Sequence, residues 1–179
     1  MITNILIALA ALVIVFAVFI ALRPPDFVVT RSATIAAPPE VVFPHVNDLH
    51  NWEAWSPWLE LDPNPKKTYS GPAAGVGAAF AWDGNNKVGA GSMTITESRP
   101  YELIRFKLDF LRPFKGTNTA EFSFKPEASQ TRVTWSMSGK LNFITKIFHL
   151  FINCDDMVGG QFEKGLAQLN KVAASVVTK

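Results

Sequence analysis

The sequence predicts an α+β fold, on three observations. An unbroken apolar segment opens the chain, six short segments with period-two alternation fill its middle, and an amphipathic helical pattern closes it. Alternation marks strands because successive side chains point to opposite faces, whereas apolar residues three and four apart share one face of a helix. The 179 residues have room for one such domain, with about 25 to spare.

The opening segment, Ile2 to Leu22, carries no charge and is rich in Ile, Leu, Val, Ala and Phe. As a helix of 21 residues it rises about 31 Å, close to the roughly 30 Å hydrocarbon core of a bilayer. A cleaved signal peptide would need a basic start, a shorter apolar core and a small-x-small cleavage site. No Lys or Arg precedes the run, and "FIALRPPD" offers a poor site. A buried helix of a soluble protein is the third reading. The expectation is a retained single-pass anchor over residues 1–24 and one domain over 25–179. Arg23 and Arg31 follow the helix, so the positive-inside tendency places that domain in the cytoplasm.

"RPP" at 23–25 ends the anchor, since proline cannot continue a helix. "FVVTRSATIA" at 27–36 is rich in β-branched residues and reads as a strand. "APPEVVFPHVND" opens on prolines suited to the first turn of a short helix, with Val41, Val42 and Val46 as its apolar positions. "HNWEAWSPWLE" reads as a second short helix ended by Pro57, with Trp52 and Trp55 on one face. Then come "KKTYSG", "GAAFAWDG", "GSMTITES", "ELIRFKLDF", "NTAEFSFKP" and "TRVTWSMSG", separated by turn residues in "DGNN", "SRPY" and "KPEASQ". Successive hairpins of this kind make an antiparallel meander. After "NFITKIFHLF", the stretch from Asp155 keeps Met157, Phe162, Leu166, Leu169 and Val176 at near-helical spacing, with Asp155 or Asp156 as a capping residue.

Alternation assigns an inner face to each strand. Phe80 and Trp82 share a side, as do Met93 and Ile95; Ile104, Phe106, Leu108 and Phe110; Phe122 and Phe124; and Val133, Trp135 and Met137. The expected inner face is apolar and aromatic, without ionisable groups, and Arg105 and Lys107 point outward. Two readings stand: a solid core under the helix, or a curved sheet that leaves a cavity for an apolar ligand. In the second, the wall consists of Phe80, Trp82, Met93, Ile95, Phe106, Phe122, Phe124, Trp135 and Met137 from the strands. Met157, Phe162 and Leu166 join it from the helix, and Trp52 and Trp55 from the short helix at its mouth.

The inventory for catalysis is poor. There is no G-x-S-x-G elbow, and the single Cys154 has only His149 nearby in sequence. "GVGAAF" and "GAGSMT" do not sit between a strand and a helix, as a dinucleotide loop would. His45, His50 and His149 have no metal-ligand spacing. The net charge of +2 without a basic run gives no nucleic-acid footprint. The expectation is no catalytic residue, no metal and no cofactor.

The stretches "TRSATIAAPPEVVFPHVNDLHNWEAWSPW", "SGPAAGVGAAFAW", "ITESRPYELIRFKLDF" and "MVGGQFEKGLAQLNK", in this order, resemble the SRPBCC (START-like) superfamily. They are most similar to its polyketide cyclase/dehydrase and lipid-transport branch, in the group with an N-terminal membrane helix. The similarity runs from about Asp26 to Lys171. It implies a helix-grip fold: a bent antiparallel sheet of about seven strands around the C-terminal helix, with two short helices closing one end. It also implies a space for hydrophobic ligands between sheet and helix. Enzymes among the relatives place polar groups inside that space, and this sequence offers few there. The leading expectation is a membrane-anchored binding protein for a lipid or other hydrophobic small molecule. The alternatives are a cyclase- or dehydratase-like enzyme on an apolar substrate, and a partner-binding module with a filled core.

Overall fold

The computed structural model describes residues 1–151 and 154–177. The side chains of His149 and Cys154, the one cysteine–histidine pair considered above, lie outside the described residues. The opening helix α1 (Ile2–Leu22) stands exposed along almost its whole length. It is long and apolar enough to cross a membrane, a test that a signal sequence also passes.

The domain proper begins with strand β1 (Asp26–Ile35) and helix α2 (Pro39–Asn47), which has proline in its first turn. The tryptophan-rich stretch then departs from the expected single helix. It forms a 3-10 helix (Leu49–Ala54), followed by the separate short helix α3 (Trp58–Leu61). Asp48 starts the 3-10 helix by accepting a hydrogen bond from the His50 amide (2.9 Å). Pro57 restricts Ser56 before it and so breaks the path between the two, which makes it the start of α3.

Six strands follow: β2 (Lys66–Ser70), β3 (Ala79–Asp83), β4 (Ala90–Arg99), β5 (Leu103–Arg112), β6 (Gly116–Glu127) and β7 (Gln130–Lys140). With β1 they make one antiparallel sheet in the order β1-β7-β6-β5-β4-β3-β2. The "DGNN" turn is longer than expected: the loop runs from Gly84 to Gly89 and closes on a Gly84 N–H to Gly89 carbonyl bond (2.9 Å). "NFITKIFHLF" supplies a further helix, α4 (Phe143–Phe151), ahead of the long α5 (Cys154–Val177). A sheet wrapped on one long helix, with short helices at one end, is the helix-grip fold.

Sheet and helix meet at Trp135. Its indole stacks on Phe162 of α5 (centroids 4.0 Å apart, planes 11° apart) and on Phe122 of β6 (4.6 Å, 29°). Gly165 lets the helix come this close. A Cβ there would lie 2.9 Å from the Trp135 ring and 3.0 Å from Pro57. At the sheet's edge, Arg31 of β1 reaches across Gly159 to α5. It donates to Glu163 (Nε to Oε1, 2.7 Å) and to Asp155 (Nη2 to Oδ2, 2.9 Å). Asp155, Gly159 and Glu163 are four residues apart in turn, so they form one stripe along the helix. The bond from Arg31 holds the Asp155 carboxyl below its ordinary range. Asp155 therefore lies within the first turn of α5 rather than ahead of it as a cap, and it ties α5 to β1.

Because Trp135 is only 3 % exposed and bridges sheet and helix, Trp135→Ala is expected to cost about 3–5 kcal/mol of folding free energy. Urea denaturation of the two proteins checks this, and Trp135→Phe should recover part of the loss.

Candidate functional site

The strand registers align the inner residues in rows across the sheet. One row is Trp135, Phe122 and Ile104; the next is Met137, Ala120, Phe106 and Ile95. The third runs Gly139, Asn118, Leu108, Met93, Phe80 and Tyr69, and the fourth Gly116, Phe110, Gly91, Trp82 and Lys67. Burial falls along this series. In the first two rows every residue except Met137 is fully buried, whereas Leu108, Phe80, Phe110 and Trp82 further down are only half-buried.

The closed end is filled by the protein's own rings. Trp52 and Trp55 lie 4.5 Å apart and pack edge-on against Phe122 and Trp135, and Trp52 does the same to Phe106. Their indole N–H groups donate to the carbonyls of Val46 (3.0 Å) and His45 (2.9 Å), so both polar tips are satisfied inside the fold. Phe124 packs edge-on to Phe43 of α2, and Phe162 and Leu166 are buried on α5. These residues pin the short helices and α5 to the sheet.

The other end is less covered. Helix α5 comes closest to β1, α2 and the 3-10 helix, and the inner faces of β3 and β5 keep apolar residues that are only half-buried. These residues are Phe80, Trp82, Leu108 and Phe110, with small residues between them. Gly91 is one such position: the Trp82 ring lies so close that a Cβ there would meet it at 2.8 Å. Of the expected wall residues, Phe80, Trp82 and Met93 adjoin here on β3 and β4, and Ile95, Phe106 and Met137 lie in the row behind, Met137 two strands beyond Phe106.

Met157 does not join them. It was expected on the inner face of the helix but stands 57 % exposed. The buried stripe of α5 runs through Phe162, Leu166, Leu169 and Ala173; extended backward it passes Val158 and Gly159, and Met157 falls about 100° to one side of Val158.

The inner face also carries ionisable groups, contrary to expectation. They sit on the edge strands, where side chains reach past the apolar centre. Arg31 lies inward on β1, opposite Trp135, and Lys67 and Tyr69 lie inward on β2. Around Tyr69 is a cleft of about 280 Å³, lined by Leu49, His50, Tyr69, Ala78 and Ala79 with the Ser70–Ala73 turn. The His50 ring stacks on Tyr69 (4.1 Å, 19°), and its Nδ1 is 3.0 Å from Asp48 Oδ1. The Tyr69 hydroxyl donates to Glu53 Oε1 (3.1 Å), which also accepts from Lys67 Nζ (2.7 Å). Burial, and then the bond to Glu53, push the Tyr69 phenol up to about 12, while Lys67 and Tyr69 hold Glu53 below the usual carboxylate range. The cleft therefore offers a phenol hydroxyl and an imidazole beside the half-buried apolar residues of β3. The sequence did hold a signal for it: Lys67 and Tyr69 alternate on one face of β2, and His50 and Glu53 are interleaved with the tryptophans.

On the outer face Arg105 bridges Glu97 and Glu121, so Glu97 is paired rather than simply solvated. Among the described residues, no three His, Cys, Asp or Glu side chains gather in a way that could hold a metal ion.

Residues 26–174 match the sequence profile of the family described as polyketide cyclase / dehydrase and lipid transport. Among solved structures, a protein of Nitrosospira multiformis superposes with a TM-score of 0.61 at 18 % identity, covering 86 % of this chain and 100 % of its own. Protein CV1439 of Chromobacterium violaceum also gives 0.61, at 16 % identity over 82 % of this chain and 96 % of its own. DynU16, from the dynemicin biosynthetic locus, gives 0.55 at 15 % identity over 82 % of this chain, which spans 47 % of DynU16. At these identities the likeness is one of fold. No curated protein matches this chain.

The raised pKa of Tyr69 makes a prediction. A group whose folded-state pKa lies above its unfolded value of 10.0 adds stability that is present below that value and is lost as pH rises through the folded one. In an ultraviolet pH titration, Tyr69 should ionise near 12. Glu53→Gln should bring that transition to lower pH.

Proposed function

Because the chain belongs to the polyketide cyclase/dehydrase and lipid-transport family, we propose that its domain binds a lipid or another hydrophobic small molecule. The ligand sits in a hollow between the inner faces of β3–β5 and α5. In this reading α1 is a retained single-pass anchor, residues 25–179 are the binding domain, and the domain lies on the cytoplasmic side. Phe80, Trp82, Met93, Leu108, Phe110 and Met137 form the wall. Ile95, Phe106, Trp135 and the two packed tryptophans are its floor, and the Tyr69–His50 cleft receives a polar end of the ligand.

One observation carries this reading: Phe80, Trp82, Leu108 and Phe110 stay half-buried while the inner residues of the closed end are buried, so this part of the sheet keeps apolar surface that the fold does not fully cover. Exposed apolar surface of this kind is costly in water and is relieved by an apolar occupant. Each methylene moved out of water is worth about 0.8 kcal/mol, so a ten-carbon chain gains roughly 8 kcal/mol before immobilisation costs. Shape and apolar contact then set the affinity, and no charged contact is required.

The buried core cluster begins at Val29 and contains no residue of α1, which makes residues 25–179 a suitable fragment for a binding test. That fragment should quench or brighten an environment-sensitive fluorescent fatty acid in a saturable way. Leu108→Arg places a charge in the hollow and should weaken binding by about tenfold or more while leaving the thermal midpoint nearly unchanged. Saturable binding by neither this probe nor an isoprenoid or polycyclic aromatic one would sink the proposal.

A further inference from the structure

The open end of the hollow lies at one end of the domain. Its last inner row, Gly116 to Lys67, sits beside the β5–β6 turn (113–115), the start of β1 and the end of β7. Helix α1 leaves from that same end, and α4 lies there too. Leu141 N–H donates to the Pro25 carbonyl (2.7 Å), which fixes the end of β7 to the exit of α1. Lys146 of α4 donates from Nζ to the carbonyls of Ala21 (3.1 Å) and Arg23 (2.6 Å). Carbonyls in the last turn of a helix lack partners within it, so this lysine caps α1 and holds α4 against it.

The surface so placed is apolar and exposed. Phe143, Ile144 and Phe148 of α4 are 47 %, 57 % and 42 % exposed, and Leu111 at the end of β5 and Phe114 of the β5–β6 turn are 58 % and 39 %. The two elements form one patch, since the Phe114 and Phe148 rings meet at 4.7 Å. Lys115 and Lys140 stand exposed at the same end, and Arg23 lies over the Phe19 ring of α1 (5.5 Å). Apolar side chains bordered by lysine and arginine are the composition of an element that lies in the headgroup region of a bilayer.

We propose that α4 and the β5–β6 turn form a second membrane contact that seats the mouth of the hollow on the bilayer surface. The occupant of the patch is the lipid surface that α1 enters. This rests on the reading of α1 as a retained anchor: if α1 crosses the membrane, its last turn is at the interface, and Lys146 holds α4 at the same depth. A ligand then passes between bilayer and hollow without crossing water, and the patch is a route of entry rather than a docking site for another protein.

Spin labels on the full chain test this in vesicles of phosphatidylethanolamine and phosphatidylglycerol. Single cysteines replace Val13, Ile144 and Thr68 in a Cys154→Ser background, and collisions with oxygen and with a water-soluble nickel complex report the depth of each. The expected result is a label at 13 in hydrocarbon, one at 144 favouring oxygen over nickel, and one at 68 in water. If 13 lies in hydrocarbon but 144 behaves like 68, the anchor reading stands and the second contact is wrong. If 13 is also in water, the anchor reading falls and takes the second contact with it. A double variant, Ile144→Glu with Phe148→Glu, gives an independent check at exposed sites that the core does not need. Its uptake of a fluorescent fatty acid from those vesicles should slow by about tenfold, with its affinity for the same probe added from solution unchanged. Uptake at the parent rate overturns the proposal.

Discussion

The stack of Trp135 on Phe162 and Phe122 is the contact on which the rest of the structure depends. It joins the long helix to the middle of the sheet, and it is possible only because position 165 has no side chain. Around it Trp52 and Trp55 complete a cluster of rings, each pair adding about 0.5–1.5 kcal/mol beyond the area it buries. The helix is thereby fixed at one end of the sheet. Arg31 fixes it again along the edge strand, through two carboxylates spaced to flank a glycine.

These two attachments set where the helix comes closest to the sheet. With α5 held at β1 and the closed end, the rows that begin with Gly139 and Gly116 keep half-buried Leu108, Phe80, Phe110 and Trp82. The polar cleft follows the same geometry, because Tyr69 lies inward on an edge strand and meets the 3-10 helix that the tryptophans anchor.

Much of this was legible in the sequence. The period-two segments placed the central strands and their inner faces, since a strand with one buried face must alternate. The apolar stripe placed α5. What stayed hidden depended on tertiary context. Whether Trp52 and Trp55 pack or line a cavity turns on how near α5 comes, and nothing local to "HNWEAW" encodes that distance. The inward Arg31, Lys67 and Tyr69 were passed over because edge strands break the rule that inner means apolar. Met157 shows the limit of reading helical periodicity by eye: its neighbour Val158 belongs to the buried stripe, and one residue is a turn of about 100°. The split of the tryptophan stretch into a 3-10 helix and α3 followed from Pro57 acting on the residue before it, a constraint that the sequence did contain.

The central claim is that the hollow holds an apolar molecule, and the most direct measurement is native mass spectrometry of the full chain released from gently prepared membrane discs. The account predicts a reproducible adduct that extracts into organic solvent and that is lost in Leu108→Arg. A bare mass for the parent protein, unchanged after incubation with total lipid extract, would contradict it and leave a hollow that its own side chains close in solution.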